Sequence, residues 1–349
     1  MTRSKRNLFF DALKYLAIFL VVWGHIIQHT CMLENVFDDY ILRLIYTVHM
    51  PLLMGISGYF LAKVIRQLGG GKYLSLKLPQ RIITLLIPMC SFGFLKLFFI
   101  SDISLLSIFR SIHDIWFLGA LIINYLIAVF VIQFCNGIFS HDCKLFIMSL
   151  PLTLLPFIGY SGKGFFMYVF FVFGYCLSYY YDGSFFEFEK YWKFVLLIYV
   201  ASFYLFDIMP FKPASFTINF FKISLTEVLV IDILKVIMAL CGCYLIVLML
   251  YIYLPKISGT QLASHIFYYG QHTLDIYLLQ IIIVEVIGER FYYNYVEETG
   301  VNIIYAYGFW GELLITFVIT VVMMLFLTFI SDLINKNAFL TKVLFGRVK

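Results

Sequence analysis

Three ionisable side chains interrupt the first apolar run of this chain. They are Asp11, Lys14 and His25, within RNLFFDALKYLAIFLVVWGH, Arg6 to His25. A charge inside a membrane helix is costly and usually faces a partner or a wet cavity. At roughly 100° per residue the three fall within about 60° of one another around a helix axis, forming one polar stripe on an apolar rod. Lys14 and His25 are separated by about 16 Å along that axis at roughly 1.5 Å per residue. Histidine is the side chain whose ordinary titration lies nearest neutrality, so His25 suits a general base. Lys14, near the other end, suits an anionic group. The plainer reading is that Lys14 snorkels to the surface with Asp11 as its ion partner, and that His25 is an ordinary interfacial residue.

Other candidates carry less. His25 and His29 are four apart on one helical face, as metal ligands can be, and His49 begins the next helix. No acidic or thiolate ligand shows supporting spacing, so no metal is expected. His113 and Asp114 precede Trp116 at a membrane edge, where an interfacial role is the simpler one. Glu285, Glu289 and Glu312 lie in or near late spans: Glu312 is expected to be solvent-exposed, while the deeper Glu285 has the better claim to a pocket. Cys241 and Cys243 read as packing residues, and the seven scattered cysteines show no CxxC pair and no disulfide framework.

The elements that must hold these residues are membrane helices. The chain has 349 residues, 62% hydrophobic and 13% charged, with a mean hydropathy of +0.94. Soluble domains run nearer 45–50% apolar and about 25% charged, and a single soluble core could not hide the difference. We expect an all-α polytopic integral membrane bundle of about ten transmembrane helices, one membrane domain over 1–349. The spans are roughly 8–28, 41–62, 82–100, 114–135, 143–160, 164–181, 193–210, 226–254, 271–290 and 308–332. Asp11 and Lys14 interrupt the first run and no cleavage site follows it, which predicts an uncleaved helix rather than a signal peptide. With both termini cytoplasmic, sixteen Lys and Arg fall in inner segments and six in outer ones, as the positive-inside rule requires. The net charge of +5 is therefore topology, and no nucleic-acid partner is implied.

The first helix resembles that of the acyltransferase 3 family, which carries an Asp, then a basic residue, then ten residues and a His. Asp11, Lys14 and His25 stand at those positions, with Lys14 where the family usually has Arg. Lysine keeps the charge and loses the bidentate fork. MPLLMGISGYF (Met50 to Phe60) is similar to the family's proline-led run ending in Ser-Gly-aromatic. A basic loop and LPQRIITLLIP follow, in which Arg81 enters the third helix; as a set, Lys63, Arg66, Lys72, Lys77 and Arg81 also read as a positive-inside loop. IWFLGALIINYL (Ile115 to Leu126) resembles the family's Trp-Phe-Leu helix, without the glutamate of larger branches, which points to the short stand-alone branch. YYGQHTLDIYLLQ (Tyr268 to Gln280) resembles a late-helix pattern in which Gln280 replaces a frequent His, so no chemistry of that histidine carries over.

The resemblance implies transfer of an acyl group, commonly acetyl, from acetyl-CoA or another acyl-CoA to a hydroxyl of a saccharide or glycan, in the bacterial cytoplasmic (inner) membrane. His25 is the catalytic candidate, as base or as the first acceptor of the acyl group; Asp11 and Lys14 are counted with it in the catalytic motif, Asp11 as the group that orients Lys14. Lys14, Arg66 and Arg81 are candidates for the donor phosphates, and Ser57, Trp116 and Glu285 for the acceptor. The rival is a transporter or flippase, since intramembrane charge also marks transport paths; neither an inverted repeat nor paired broken helices support it. A catalytically silent membrane partner is the third reading.

Overall fold

The computed structural model describes residues 8–30, 39–99, 104–134, 144, 147–149, 162–181, 189–208, 225–302, 304 and 308–347. Among the described residues every regular element is helical and no strand occurs. The helices are α1 (Leu8–Thr30), α2 (Tyr40–Leu68), α3 (Gly70–Leu97), α4 (Leu105–His113), α5 (Trp116–Phe134), α6 (Gly162–Tyr181), α7 (Trp192–Ile208) and α8 (Leu225–Ile257). Then come α9 (Gln261–Tyr269) and α10 (Thr273–Gln280), which runs through a π-helical stretch, Ile281–Gly288, into α11 (Glu289–Thr299). Finally come α12 (Gly308–Lys336) and α13 (Ala338–Phe345).

Six helices among the described residues are long and apolar enough to cross a membrane: α1, α2, α3, α5 over Trp116–Gln133, α8 over Ile233–Ile257, and α12. The chain is thus a multi-pass membrane protein, but ten spans are not established. The expected span 143–160 falls largely outside the described residues. Those at 164–181 and 193–210 coincide with α6 and α7, the latter only 17 residues long. That at 271–290 coincides with the π-interrupted run from α10. The basic stretch between the second and third spans is mostly helix, not loop. Lysine and arginine are good helix formers, and only Gly69, at φ 79°, breaks α2 from α3. The N-terminal basic residues Arg3, Lys5 and Arg6 lie outside the described residues.

The chain divides into two compact units of interleaved segments. The first comprises 1–49, 84–115 and 253–349, the second 50–83 and 116–252. In the first, α1 meets α12 through Trp23, whose indole N–H donates to the Thr316 hydroxyl at 2.9 Å, with Phe317 packed against Phe19 and Trp23. Buried Ile27, Ile41, Leu42 and Ile45 join α1 to the start of α2. Lys96 pairs with Asp114 at 2.8 Å. A Cβ on Gly270 would lie 2.0 Å from the Asp11 carbonyl oxygen. Only glycine lets the turn before α10 approach α1 so closely, and the late-helix motif carries its glycine at that place.

The second unit is built on similar close approach. A Cβ on Gly58 would lie 1.8 Å from the carbonyl oxygen of Phe171, and one on Gly174 1.9 Å from that of Gly55. Small residues therefore let α2 and α6 meet backbone to backbone, as tight packing in lipid requires. Here Asn124 of α5 donates to Met54 of α2 at 3.6 Å.

Candidate functional site

The polar stripe of α1 meets two different environments in the first unit. Near its start, Asp11 is buried and its carboxylate lies 3.9 Å from the Lys14 ammonium, the local ion pair of the plainer reading. Further along, His25 and His29 face the run that leaves α10. Nδ1 of His25 lies 2.7 Å from Oε1 of Glu285, and Nδ1 of His29 lies 3.0 Å from Oε2 of Glu289. The His25–Glu285 contact is close but not aligned as a full hydrogen bond. Each of these two residues keeps about a sixth of its side chain accessible (15% and 17%), whereas Glu289 is half exposed at 54%.

The π-helical stretch explains how Glu285 is held. Gln280 is fully buried, and its amide donates to Oε1 of Glu285 at 3.0 Å. In an α-helix, residues five apart point roughly 140° away from each other. A π-helix, with its i→i+5 hydrogen bonds, stacks them. The local change of winding therefore sets Gln280 beneath Glu285. Gln280 stands where the resembling sequences often have His, and it has a role of its own here as a buried donor to the carboxylate.

His49, the third histidine at this level of the sequence, is turned onto its own helix, with Nδ1 2.7 Å from the Ile45 carbonyl oxygen. Tyr46 donates its hydroxyl to Gln28. Glu312 is buried, not exposed as its place near a helix end predicted. It sits on the α12 face that packs against α1, where Thr316 accepts from Trp23.

A second polar centre, which sequence reading missed, surrounds Asp275 in the first turn of α10. Its side chain is fully buried. Oδ2 accepts from the Ser331 hydroxyl at 3.0 Å, the Asn335 amide at 3.0 Å and Arg347 Nη1 at 3.1 Å. His272 Nδ1 lies 3.1 Å from the same oxygen, and Arg347 Nη2 lies 2.6 Å from Oδ1. Gly346, at φ 64°, ends α13 in the left-handed conformation, which glycine adopts readily. Phe345 just before it stacks on Phe92 of α3. Nearby Tyr268 donates to Asp332 at 2.9 Å, and that hydrogen bond raises its phenol above the ordinary value. The signal available in the sequence was an acid inside an apolar motif, Asp275 within YYGQHTLDIYLLQ.

The remaining candidates belong to the second unit. Arg66 is exposed and donates to the Ser178 hydroxyl at 3.1 Å. Arg81, also exposed, lies over the Tyr125 ring at 5.5 Å. The Ser57 hydroxyl donates to the Leu53 carbonyl of its own helix at 2.9 Å, and Trp116 packs edge-to-face on Phe117. The structure thus brings His25 together with Glu285 and Asp11 with Lys14, and holds Ser57, Arg66, Arg81 and Trp116 on other helices.

A helical membrane protein with a histidine–carboxylate pair among its helices has the equipment for proton transfer. The family comparison supplies the reaction class: the model of the acyltransferase 3 family, described as an acyltransferase domain, matches residues 7–332. The chain belongs to that family and is a membrane acyltransferase. No curated protein and no solved structure matches it.

Proposed function

We propose that this acyltransferase is an O-acyltransferase that moves an acetyl or other acyl group from its coenzyme A thioester to a hydroxyl of a cell-surface saccharide or its lipid-linked precursor. The observation that carries the reading is the 2.7 Å contact between His25 and Glu285 in a chain of acyltransferase lineage. With a proton on Nδ1 facing the carboxylate, Nε2 keeps its lone pair for the reaction. The acceptor hydroxyl passes its proton to Nε2 while its oxygen attacks the thioester carbonyl. The C–S bond then breaks, and the departing thiolate takes the proton back from the imidazolium. An ester and a free thiol result, with no net proton consumed. Glu285 holds the ring and stabilises the imidazolium, as carboxylates do in other histidine-based sites, and Gln280 holds Glu285.

Lys14, Arg66 and Arg81 are proposed to provide positive charge for the donor's phosphates, and Ser57 and Trp116 to contact the acceptor. The sixteen-to-six bias of basic residues supports cytoplasmic termini in a bacterial inner membrane. Family membership favours this reading over a transporter.

The test is release of free coenzyme A thiol from acetyl-CoA by the purified, detergent-solubilised protein, beside His25→Ala. Turnover or slow hydrolysis that disappears in the variant is the expected result. Turnover unchanged in the variant would remove His25 from the mechanism. Arg81→Ala is expected to weaken donor binding; unchanged binding would withdraw the phosphate assignment from Arg81.

A further inference from the structure

His25 and His29 lie one helical turn apart on α1, and their ring centroids are 6.0 Å apart. One ring nitrogen from each and one carboxylate oxygen of Glu285 all lie within 4.8 Å of one another. Glu289, 3.0 Å from His29, stands at the exposed rim. A tetrahedral zinc ion with bonds of about 2.0–2.1 Å to nitrogen and oxygen keeps its ligand atoms about 3.4 Å apart. Small side-chain rotations therefore suffice: the widest separations close and the His25–Glu285 contact opens. Two neutral imidazoles and two carboxylates balance a dication, and the imidazoles select the zinc class over magnesium or calcium. The first residues give a pattern the linear sequence shows only in halves, a His-x-x-x-His on α1 and a Glu-x-x-x-Glu beginning in the π-helical stretch.

We propose that His25, His29 and Glu285, with Glu289 completing the set from the rim, form a binding site for a zinc-class divalent ion, and that the ion silences the acyltransferase. The silencing rests on the role of His25 proposed above. An imidazole bound to metal through one nitrogen carries its proton on the other, so a metal on either nitrogen of His25 leaves no lone pair to accept the hydroxyl proton. It also takes Glu285 from the ring. Metal binding and base catalysis are thus mutually exclusive uses of one side chain.

The probe is Co²⁺, whose four-coordinate complexes absorb strongly in the visible, titrated into the full chain in detergent. One equivalent is expected to produce the band, Zn²⁺ to displace it, and His29→Ala to weaken binding by at least about tenfold. No band, or a band unchanged in His29→Ala, would overturn the site. In the thiol-release assay Zn²⁺ is expected to suppress wild-type turnover and a chelator to restore it. His29→Ala should keep its basal turnover and need at least about tenfold more Zn²⁺ for the same suppression. Wild-type turnover insensitive to Zn²⁺, or a variant as sensitive as wild type, would overturn the silencing. A band that depends on His29 in protein that never turns over acetyl-CoA, chelator included, would establish the site and remove both the silencing and the acyltransferase reading of His25. If His29→Ala does not purify folded, Glu289→Gln at the rim carries the same tests, with about a several-fold weakening expected.

Discussion

Asp275 and Glu285 stand ten residues apart on one helical run, and their surroundings differ sharply. Asp275 has no accessible surface and receives Arg347, Ser331, Asn335 and His272 together. Glu285 keeps some exposure and has one amide donor, Gln280, and one histidine in unaligned contact. A buried carboxylate that receives several donors rigidifies a structure, while one with few donors keeps capacity for a ligand or a proton. The first carboxylate thus fastens the C-terminal segment to α10 and α12. The second is available for chemistry. Near-identical residue types on the same element acquire different roles from the number of donors that tertiary packing delivers to them.

The largest effect expected is on the reactive side of this comparison. His25→Ala should reduce thiol release by about 10²–10⁴-fold, the usual contribution of a positioned base, while the unfolding midpoint of the detergent-solubilised protein stays near that of wild type. A large drop in midpoint would mean that His25 is structural and would erase the contrast.

Asp275→Asn should do the reverse. It leaves the Arg347 guanidinium facing a neutral amide; water still reaches a third of that side chain, so the loss falls below that of a fully buried broken pair, at about 2–4 kcal/mol. Thermal unfolding in detergent reads the effect. The double replacement Asp275→Leu with Arg347→Met should recover part of it, because neither charge is then left without its partner. Failure to recover would show that Ser331, Asn335 and His272 need the carboxylate independently of Arg347.

Glu285→Gln separates positioning from binding. The amide keeps the shape and loses the charge, so kcat should fall by about 10²-fold with KM for acetyl-CoA little changed. A change confined to KM would instead make Glu285 a contact for substrate, the role its sequence position first indicated. Smallest is Gly270→Ala, which forces a methyl against the Asp11 carbonyl and should destabilise by about 1–3 kcal/mol as overpacking does, read by the same unfolding measurement. A neutral result would mean that the turn relaxes away from α1 at little cost.

Much of this was legible in the residues. The membrane class follows from apolar runs that water cannot solvate, and Asp11, Lys14 and His25 stood out because ionisable groups in such runs are rare. Gly270 and Gly58 lay within recognisable motifs, but the backbone each meets is supplied by a different helix. Glu285 was visible as a deep acid, yet its orientation depends on a π-helical winding that a 3.6-residue period cannot anticipate. For the same reason Gln280 read as a lost histidine and not as a buried donor. The basic stretch after α2 read as loop because charge was weighed as topology, while its lysines and arginines also favour helix.

The sequence by itself determined that the chain lives in a bilayer, that it resembles the acyltransferase 3 family, and which residue of α1 is suited to take a proton. Those conclusions rest on local properties: hydropathy, residue type and spacing along one helix. Only the tertiary structure decided that Glu285 is the partner of His25, that Arg347 closes on Asp275, that His29 joins His25 and Glu285 in one cluster, and that Glu289 meets His29. These contacts join residues up to 260 positions apart in the case of His25 and Glu285. Nothing in a linear pattern specifies them, because they are set by which helix faces pack together and by where the helix changes its winding.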